Sequence, residues 1–240
     1  MVDVMDMPES SLRTRIQRAG HANGLDMVSE LQGENPTIPA LRLFTKRMAD
    51  LVVAAFALAA LLPVLIACAI AIRWESPGPV FFRQIRWGQG GRKITVYKFR
   101  SMHTDMCDAS GVNQTVAGDA RITRVGAFLR KSNFDELPQL INVLKGDMSL
   151  VGPRCHAVGM KAAGVLYEEL VPNYHLRHAM KPGITGLAQM RGLRGPTDTA
   201  ARSRARIAAD LYYIQNYSVM LDFKIMLGTL KNEVFRGSGF

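Results

Sequence analysis

The longest apolar run in the chain extends from Leu51 to Ile72, 22 residues without a charge. As a helix rising ~1.5 Å per residue it would be roughly 33 Å long, enough to cross the hydrocarbon core of a bilayer. It is too long for the apolar region of a secretory signal, and a mostly polar stretch precedes it. Its length and purity also speak against a helix buried in a soluble core. Pro63 stands inside the run, deletes one helical hydrogen bond and predicts a kink. Arg42, Lys46 and Arg47 flank one end, and Arg73, Arg83 and Arg86 the other. Because Lys and Arg prefer the cytoplasmic side, basic flanks at both ends fit a re-entrant hairpin. A kinked spanning helix fits the run equally well on these grounds.

The remaining pattern predicts an α+β chain, mostly helical, with a small β-hairpin. Residues 1–40 are polar and read as a mobile N-terminal tail, with a short helix near Ser11–Ala19. Residues 41–73 form the membrane helix, and 74–240 a second, cytosolic body. Trp74 to Pro79 is a turn cluster. Val80–Trp87 and Lys93–Arg100 are β-prone runs joined by a glycine-rich turn. In the second run Val96, Lys98 and Arg100 share one face, and Tyr97 and Phe99 the other. The turn lacks the G-K-[ST] ending of a phosphate loop.

Met102–Asp119 reads as a loop and Ile122–Lys131 as a basic helix. A helix from Glu136 to Lys145 carries Leu137, Leu140, Ile141 and Leu144 at helical spacing, with Pro138 in its first turn. Asp147–Val151 is extended, and a helix is expected over His156–Leu170. Pro172–Asp198 is a long loop region, of a kind that often carries function. Helices over Ala200–Tyr213 and Val219–Phe235 follow. The latter is amphipathic and fits an interfacial helix on a membrane surface; core packing fits it as well.

Charge changes the picture. Of 240 residues, 30 are Lys or Arg and 20 Asp or Glu, a net charge of +10. The excess is local: residues 1–50 carry 6 basic and 7 acidic groups, whereas residues 73–240 carry 24 and 13. A basic body behind an apolar segment favours an anionic partner: nucleic acid, an acidic lipid surface or a phosphorylated substrate. The 3 cysteines are widely spaced without a C-x-x-C pair, which excludes a disulfide scaffold and a Cys-rich zinc site. His175-x-x-His178 has metal-ligand spacing but no third ligand.

The candidate chemistry centres on Asp135 and Glu136. Adjacent acids commonly cap a helix, and Asp135 is placed as an N-cap. A pair of carboxylates can also hold Mg²⁺, and an ionised Asp can attack phosphorus. Attack of an anion on a diphosphate needs cations around it. Lys98, Arg100, Arg124, Arg130, Lys131 and Arg154 lie close enough in sequence to supply them.

Longer motifs carry a resemblance. Tyr97-Lys98-Phe99-Arg100-Ser101-Met102, Leu129-Arg130-Lys131-Ser132, Asp135-Glu136-Leu137-Pro138-Gln139-Leu140, the run Asn142 to Arg154, Lys181 to Gln189 and Asp210-Leu211-Tyr212-Tyr213 resemble the bacterial sugar transferase family. These are monotopic polyprenyl-phosphate phosphoglycosyl transferases, and the likeness spans about residues 43–236. It implies a re-entrant helix broken near Pro63 in the bacterial inner membrane, with the active site on the cytoplasmic face. It implies transfer of a phosphosugar from a UDP-sugar to undecaprenyl phosphate in surface polysaccharide assembly. Asp135 would be the nucleophile, UMP the leaving group and a phosphosugar–aspartate the intermediate. Glu136 would join Asp135 in holding Mg²⁺. Lys98, Arg100, Arg130, Arg154, Lys181 and Gln189 would contact substrate. Membrane lipid and the two phosphorylated substrates are the implied partners, and nucleic acid is not one of them.

The sequence departs from the family pattern at three positions. Leu62 replaces a common Ser before the break proline and cannot satisfy freed backbone groups. Cys155 replaces a common Pro after Gly-Pro-Arg, which loosens that loop. Lys181 replaces an Arg, keeping charge but losing a bidentate fork.

Overall fold

The computed structural model describes residues 38–106, 118–195, 197 and 199–236. The expected helix near Ser11–Ala19, and residues 1–37 of the tail that contains it, lie outside these residues, while Ala40 already belongs to the first helix. So does most of the loop expected over Met102–Asp119.

Helix α1, Ala40–Glu75, is 36 residues long and unbroken through Pro63, so the interruption expected at that proline is not seen in its secondary structure. Among the described residues it is the one helix long and apolar enough to cross a membrane. Lys46, Asp50, Ala54, Cys68 and Ile72 are buried at helical spacing along one face. Phe44, Val52, Phe56, Leu62, Ile66 and Ile70 are exposed. The helix thus lays one stripe against the protein and presents apolar side chains elsewhere.

Both ends of α1 are bound to the same body. At its start, Lys46 Nζ lies 2.6 Å from Asp222 Oδ2, and Arg47 donates to the carbonyls of Val143 and Leu144 at 2.6 and 3.0 Å. The Asp50 carboxylate accepts from Ser149 Oγ at 2.8 Å and from the Leu150 N–H at 3.1 Å. At its far end, Arg100 donates to the carbonyls of Ile72 and Ser76 at 3.4 and 2.7 Å and to that of Pro77. The Glu75 carboxylate accepts from the N–H groups of Arg124 and Val125 at 2.8 and 2.9 Å. These N–H groups open helix α2, Arg124–Lys131, and have no partner within it.

The hairpin forms as the sequence predicts, to within one residue at each end. Strand β1, Phe81–Trp87, pairs antiparallel with β2, Lys93–Phe99, in the register Phe81 opposite Phe99 and Trp87 opposite Lys93. Helix α2 is capped by Thr123, whose hydroxyl accepts from the Gly126 N–H at 2.9 Å. A 3₁₀ turn over Phe134–Glu136 precedes α3, Gln139–Lys145, which ends on Gly146 at φ 87°. Strand β3, Ser149–Val151, runs parallel to β6, Gly183–Thr185. The backbones approach closely: a Cβ on Gly183 would sit 2.1 Å from the Gly152 nitrogen, so only glycine fits.

The single helix expected over His156–Leu170 is not there. The segment makes two short strands, β4, Lys161–Ala162, and β5, Val165–Leu166, then one turn of helix α4, Tyr167–Leu170. Gly159, Ala163 and Gly164 take φ of 76°, 50° and 86°, which no right-handed helix accommodates. Within the expected loop Pro172–Asp198 lie a 3₁₀ stretch over Tyr174–Ala179, strand β6 and the short helix α5, Leu187–Met190. Helices α6, Ala200–Gln215, and α7, Val219–Arg236, close the described chain.

Two clusters position the site. Ala54 of α1 packs with Val96, Leu140, Val143, Met148 and Cys155. Val151, Leu187, Ala209, Tyr213 and Ile225 tie β3 and α5 to α6 and α7. Each such aliphatic side chain, fully buried, contributes about 1.5–3 kcal/mol. On α7, Ile225 faces the core, whereas Met220, Phe223, Leu227 and Leu230 are exposed.

Candidate active site

The 3₁₀ turn that carries Asp135 and Glu136 starts from Asn133 in the left-handed region at φ 56°. Asp135 is therefore not the N-cap of α3, as the sequence reading has it. That position is taken by Pro138, whose φ is already helical. The turn points both acids at the hairpin and at the Gly-Pro-Arg loop.

Glu136 is held by two cations. Lys98 Nζ lies 2.7 Å from Oε1, and Arg154 Nη2 lies 2.6 Å from the same oxygen, with Arg154 Nη1 3.3 Å from Oε2. Burial alone would raise its pKa, but Arg154 and Lys98 hold it well below the ordinary carboxylate range. Glu136 in turn raises the pKa of Arg154.

Asp135 differs. It is 8% exposed, and among the described residues its carboxylate accepts no hydrogen bond. Burial raises its pKa, and the charge of Glu136 adds to this; Lys98, Arg130 and Arg154 oppose it without cancelling it. Two adjacent acids are thus driven apart, one fixed as an anion and one poised to change state.

A cavity of about 720 Å³ opens over Asp135. Lys98, Arg130, Arg154, Arg121, Arg86 and Arg206 are among its charged lining residues, and Ala57 and Leu61 of α1, Leu140 of α3 and Leu230 of α7 among its apolar ones. Of the residues singled out in the sequence, Lys98, Arg100, Arg130, Arg154 and Gln189 all line it. Arg130 donates to Ser101 Oγ at 2.8 Å. Gln189 donates to the Ile184 carbonyl at 3.0 Å, and its Oε1 is buried without a partner. Arg100 commits its guanidinium to the turn after α1 and to Thr104 Oγ1 at 2.6 Å.

Lys181 is not a lining residue. It stands near Gly146, and burial together with the charge of Arg47 lowers its pKa. His178 is nearly buried, and burial, with Arg177 and His175, lowers its pKa to about 4. No group of three metal-ligating side chains occurs among the described residues.

Sequence reasoning missed Arg86, Arg177, Asp210 and Arg206. Asp210 stands in a motif that the resemblance quotes, and that was the only available signal. Cys155 does not leave its loop loose, because Arg86 donates to the Cys155 carbonyl at 2.8 Å and Arg177 to that of Arg154.

A long apolar helix and a buried aspartate near Lys98, Arg130 and Arg154 frame a cavity lined by both charged and apolar side chains. The sequence profile of the bacterial sugar transferases matches residues 41–236, and the chain belongs to that family. It is 62% identical over 198 residues to the exopolysaccharide production protein PSS of Rhizobium leguminosarum bv. phaseoli, covering 82% of this chain and 99% of that one. It is 51% identical over 185 residues to the UDP-glucose:undecaprenyl-phosphate glucose-1-phosphate transferase of Caulobacter vibrioides, covering 77% and 68% of the two chains. The Escherichia coli (strain K12) protein of the same name is 49% identical over 192 residues, which cover 80% of this chain and 40% of that one.

Proposed function

We propose that this protein transfers a phosphosugar from a UDP-sugar to undecaprenyl phosphate by way of a covalent aspartate intermediate. The observation that carries the reading is a buried Asp135 that accepts no hydrogen bond among the described residues, beside a Glu136 fixed by Lys98 and Arg154. An Asp135 oxygen attacks the sugar-bearing phosphorus. The bond to the bridging oxygen breaks, and UMP leaves with that electron pair. A phosphate oxygen of undecaprenyl phosphate then attacks the same phosphorus, the bond to Asp135 breaks, and the carboxylate returns. Lys98, Arg130 and Arg154 neutralise phosphate charge that would repel each attack. The apolar residues Ala57, Leu61 and Leu230 suit the isoprenoid end of the acceptor.

Asp135 fits a divalent cation, because its carboxylate accepts no hydrogen bond among the described residues and a diphosphate can complete the ligand set. One or two carboxylates plus substrate phosphates is the usual Mg²⁺ arrangement. Mg²⁺ would supply charge neutralisation at the diphosphate. Glu136 would join as a ligand only by loosening its two ion pairs. The test is release of UMP from UDP-glucose, then from other UDP-sugars, with undecaprenyl phosphate in micelles. UMP release is expected with Mg²⁺ and is lost in EDTA; no release from any UDP-sugar would sink the reading.

The membrane helix is read as re-entrant, with the site on the cytoplasmic face of the inner membrane. Its support is that residues 46–50 and 72–76 bind one body. A straight 36-residue helix spans about 54 Å, so crossing the bilayer would part those anchors from the body. The exposed stripe Met220, Phe223, Leu227 and Leu230 suits α7 as an interfacial helix. Single cysteines placed at the exposed positions Arg42 and Pro77 in a background without the native cysteines are expected to label from the cytoplasmic side alone. Labelling of the two from opposite sides would replace this topology with a spanning one.

A further inference from the structure

Behind the Gly-Pro-Arg loop lies a buried ion pair that the reaction just described does not use. Arg177 and Asp210 have side chains 2% and 3% exposed. Arg177 Nη2 and Nε lie 2.5 and 3.1 Å from Asp210 Oδ2, and Nη1 donates to Tyr174 Oη at 3.2 Å. Tyr174 Oη is 3.0 Å from His156 Nδ1. Burial and the charges of Arg177, Arg86, Arg206 and Arg154 push the His156 pKa well down, which keeps it neutral. A pair this deep is weak evidence of stabilisation, since apolar residues of the same volume often serve a fold as well. What it does geometrically is more specific. The same Nη2 that meets Asp210 also donates to the backbone carbonyl of Arg154.

One residue on, Arg86 donates to the Cys155 carbonyl at 2.8 Å and is itself held by Gln84 Oε1 at 2.8 and 2.6 Å. The Trp87 N–H then donates to the His156 carbonyl at 3.0 Å. Three successive carbonyls, 154 to 156, are thus gripped from outside the loop. The guanidinium on that segment is the one that clamps Glu136 beside Asp135.

We infer that Arg177, oriented by Asp210, is a positioning residue that fixes the backbone of Arg154 so that its guanidinium stays on Glu136 and the donor phosphates. A planar fork holds the Asp210 carboxylate, the Arg154 carbonyl and Tyr174 Oη in one rigid arrangement, whereas a lysine ammonium is a flexible point charge with fewer donors. The inference rests on the transferase reading, and its test separates the two. The test uses the full chain in lipid nanodiscs, with UMP release and amide hydrogen exchange as readouts.

The double change Arg177→Met with Asp210→Leu removes both buried charges and keeps the volume filled. It is expected to melt within a few degrees of the native protein and to exchange faster at the amides of residues 154–156 alone. Its kcat/KM for UMP release should fall roughly 10- to 100-fold, as for other groups that orient a functional side chain. In an Arg154→Ala background the same double change should add nearly nothing, because the pair acts through Arg154.

Unchanged exchange at the amides of 154–156 in the folded variant overturns the inference, as does native kcat/KM. So does an equal further loss in the Arg154→Ala background. If the double variant does not fold, Arg177→Lys, which keeps the charge and loses the fork, is judged by the same two readouts. A native protein inactive with every UDP-sugar would end the transferase reading and leave hydrogen exchange to judge the clamp.

Discussion

Asp135→Asn is expected to lower UMP release from the UDP-sugar by a factor on the order of 10³ or more while leaving the protein folded. The amide keeps the size of the side chain and removes the attacking oxygen anion. No phosphosugar adduct should then be seen by intact mass after incubation with donor alone, whereas the native protein should gain one. Turnover at more than a few per cent of the native rate would remove Asp135 as nucleophile.

Stability should move the other way. The pKa of Asp135 is raised in the folded state, mainly by burial. A group raised in this way adds stability below its unfolded pKa and loses that contribution as pH rises through the folded pKa. At pH 7 the ionised carboxylate is thus a burden that the amide lacks. Asp135→Asn should melt at or above the native temperature at pH 7, with the difference vanishing in acid. Activity has the opposite dependence, because the nucleophile must be ionised. The rate should fall with decreasing pH through an apparent pKa above the ordinary aspartate range.

Glu136→Gln is expected to weaken both fold and reaction. It leaves Lys98 and Arg154 facing a neutral amide in place of their shared carboxylate. Breaking a fully buried pair costs about 3–5 kcal/mol. Arg154 is 38% exposed, so solvent screening reduces the loss to about 2 kcal/mol here. The melting temperature should drop accordingly. With Lys98 and Arg154 no longer fixed, kcat/KM should fall about 10²-fold, the effect of a small misplacement at a reacting centre. The acid limb of the pH profile should move down, because the Glu136 charge is one of the influences raising Asp135. A folded variant with native kcat/KM would show that Glu136 holds nothing the reaction needs.

What the sequence made legible follows from where the physics is local. The run Leu51–Ile72 announces itself through length, and the hairpin through two β-prone runs and their glycines. The acid pair stands out in the sequence, but Lys98, 38 positions before Glu136, and Arg154, 18 after it, are brought to it by the fold. The helix expected over His156–Leu170 failed because three left-handed residues, one of them Ala163, override the apolar spacing. The capping assignment of Asp135 failed because Asn133 turns the chain before α3 begins. Strand alternation put Arg100 with Lys98, yet Arg100 closes the end of α1, 24 to 28 residues away. The clamp on Arg154 joins residues 23 and 33 positions from their partners, and no periodicity marks such a meeting.

The anchors at the start of α1 also set an order in time. Lys46 waits for Asp222, 176 positions later, and Asp50 for Ser149, 99 positions later. At about 5–20 residues per second of synthesis, the gap before Asp222 emerges is roughly 9–35 s. For that interval the apolar helix exists beside a ribosome with its two buried charges still unmatched. The contacts that bury Lys46 and Asp50 can therefore close only after most of the chain has been made, so the root of α1 is among the last parts of the fold to be locked.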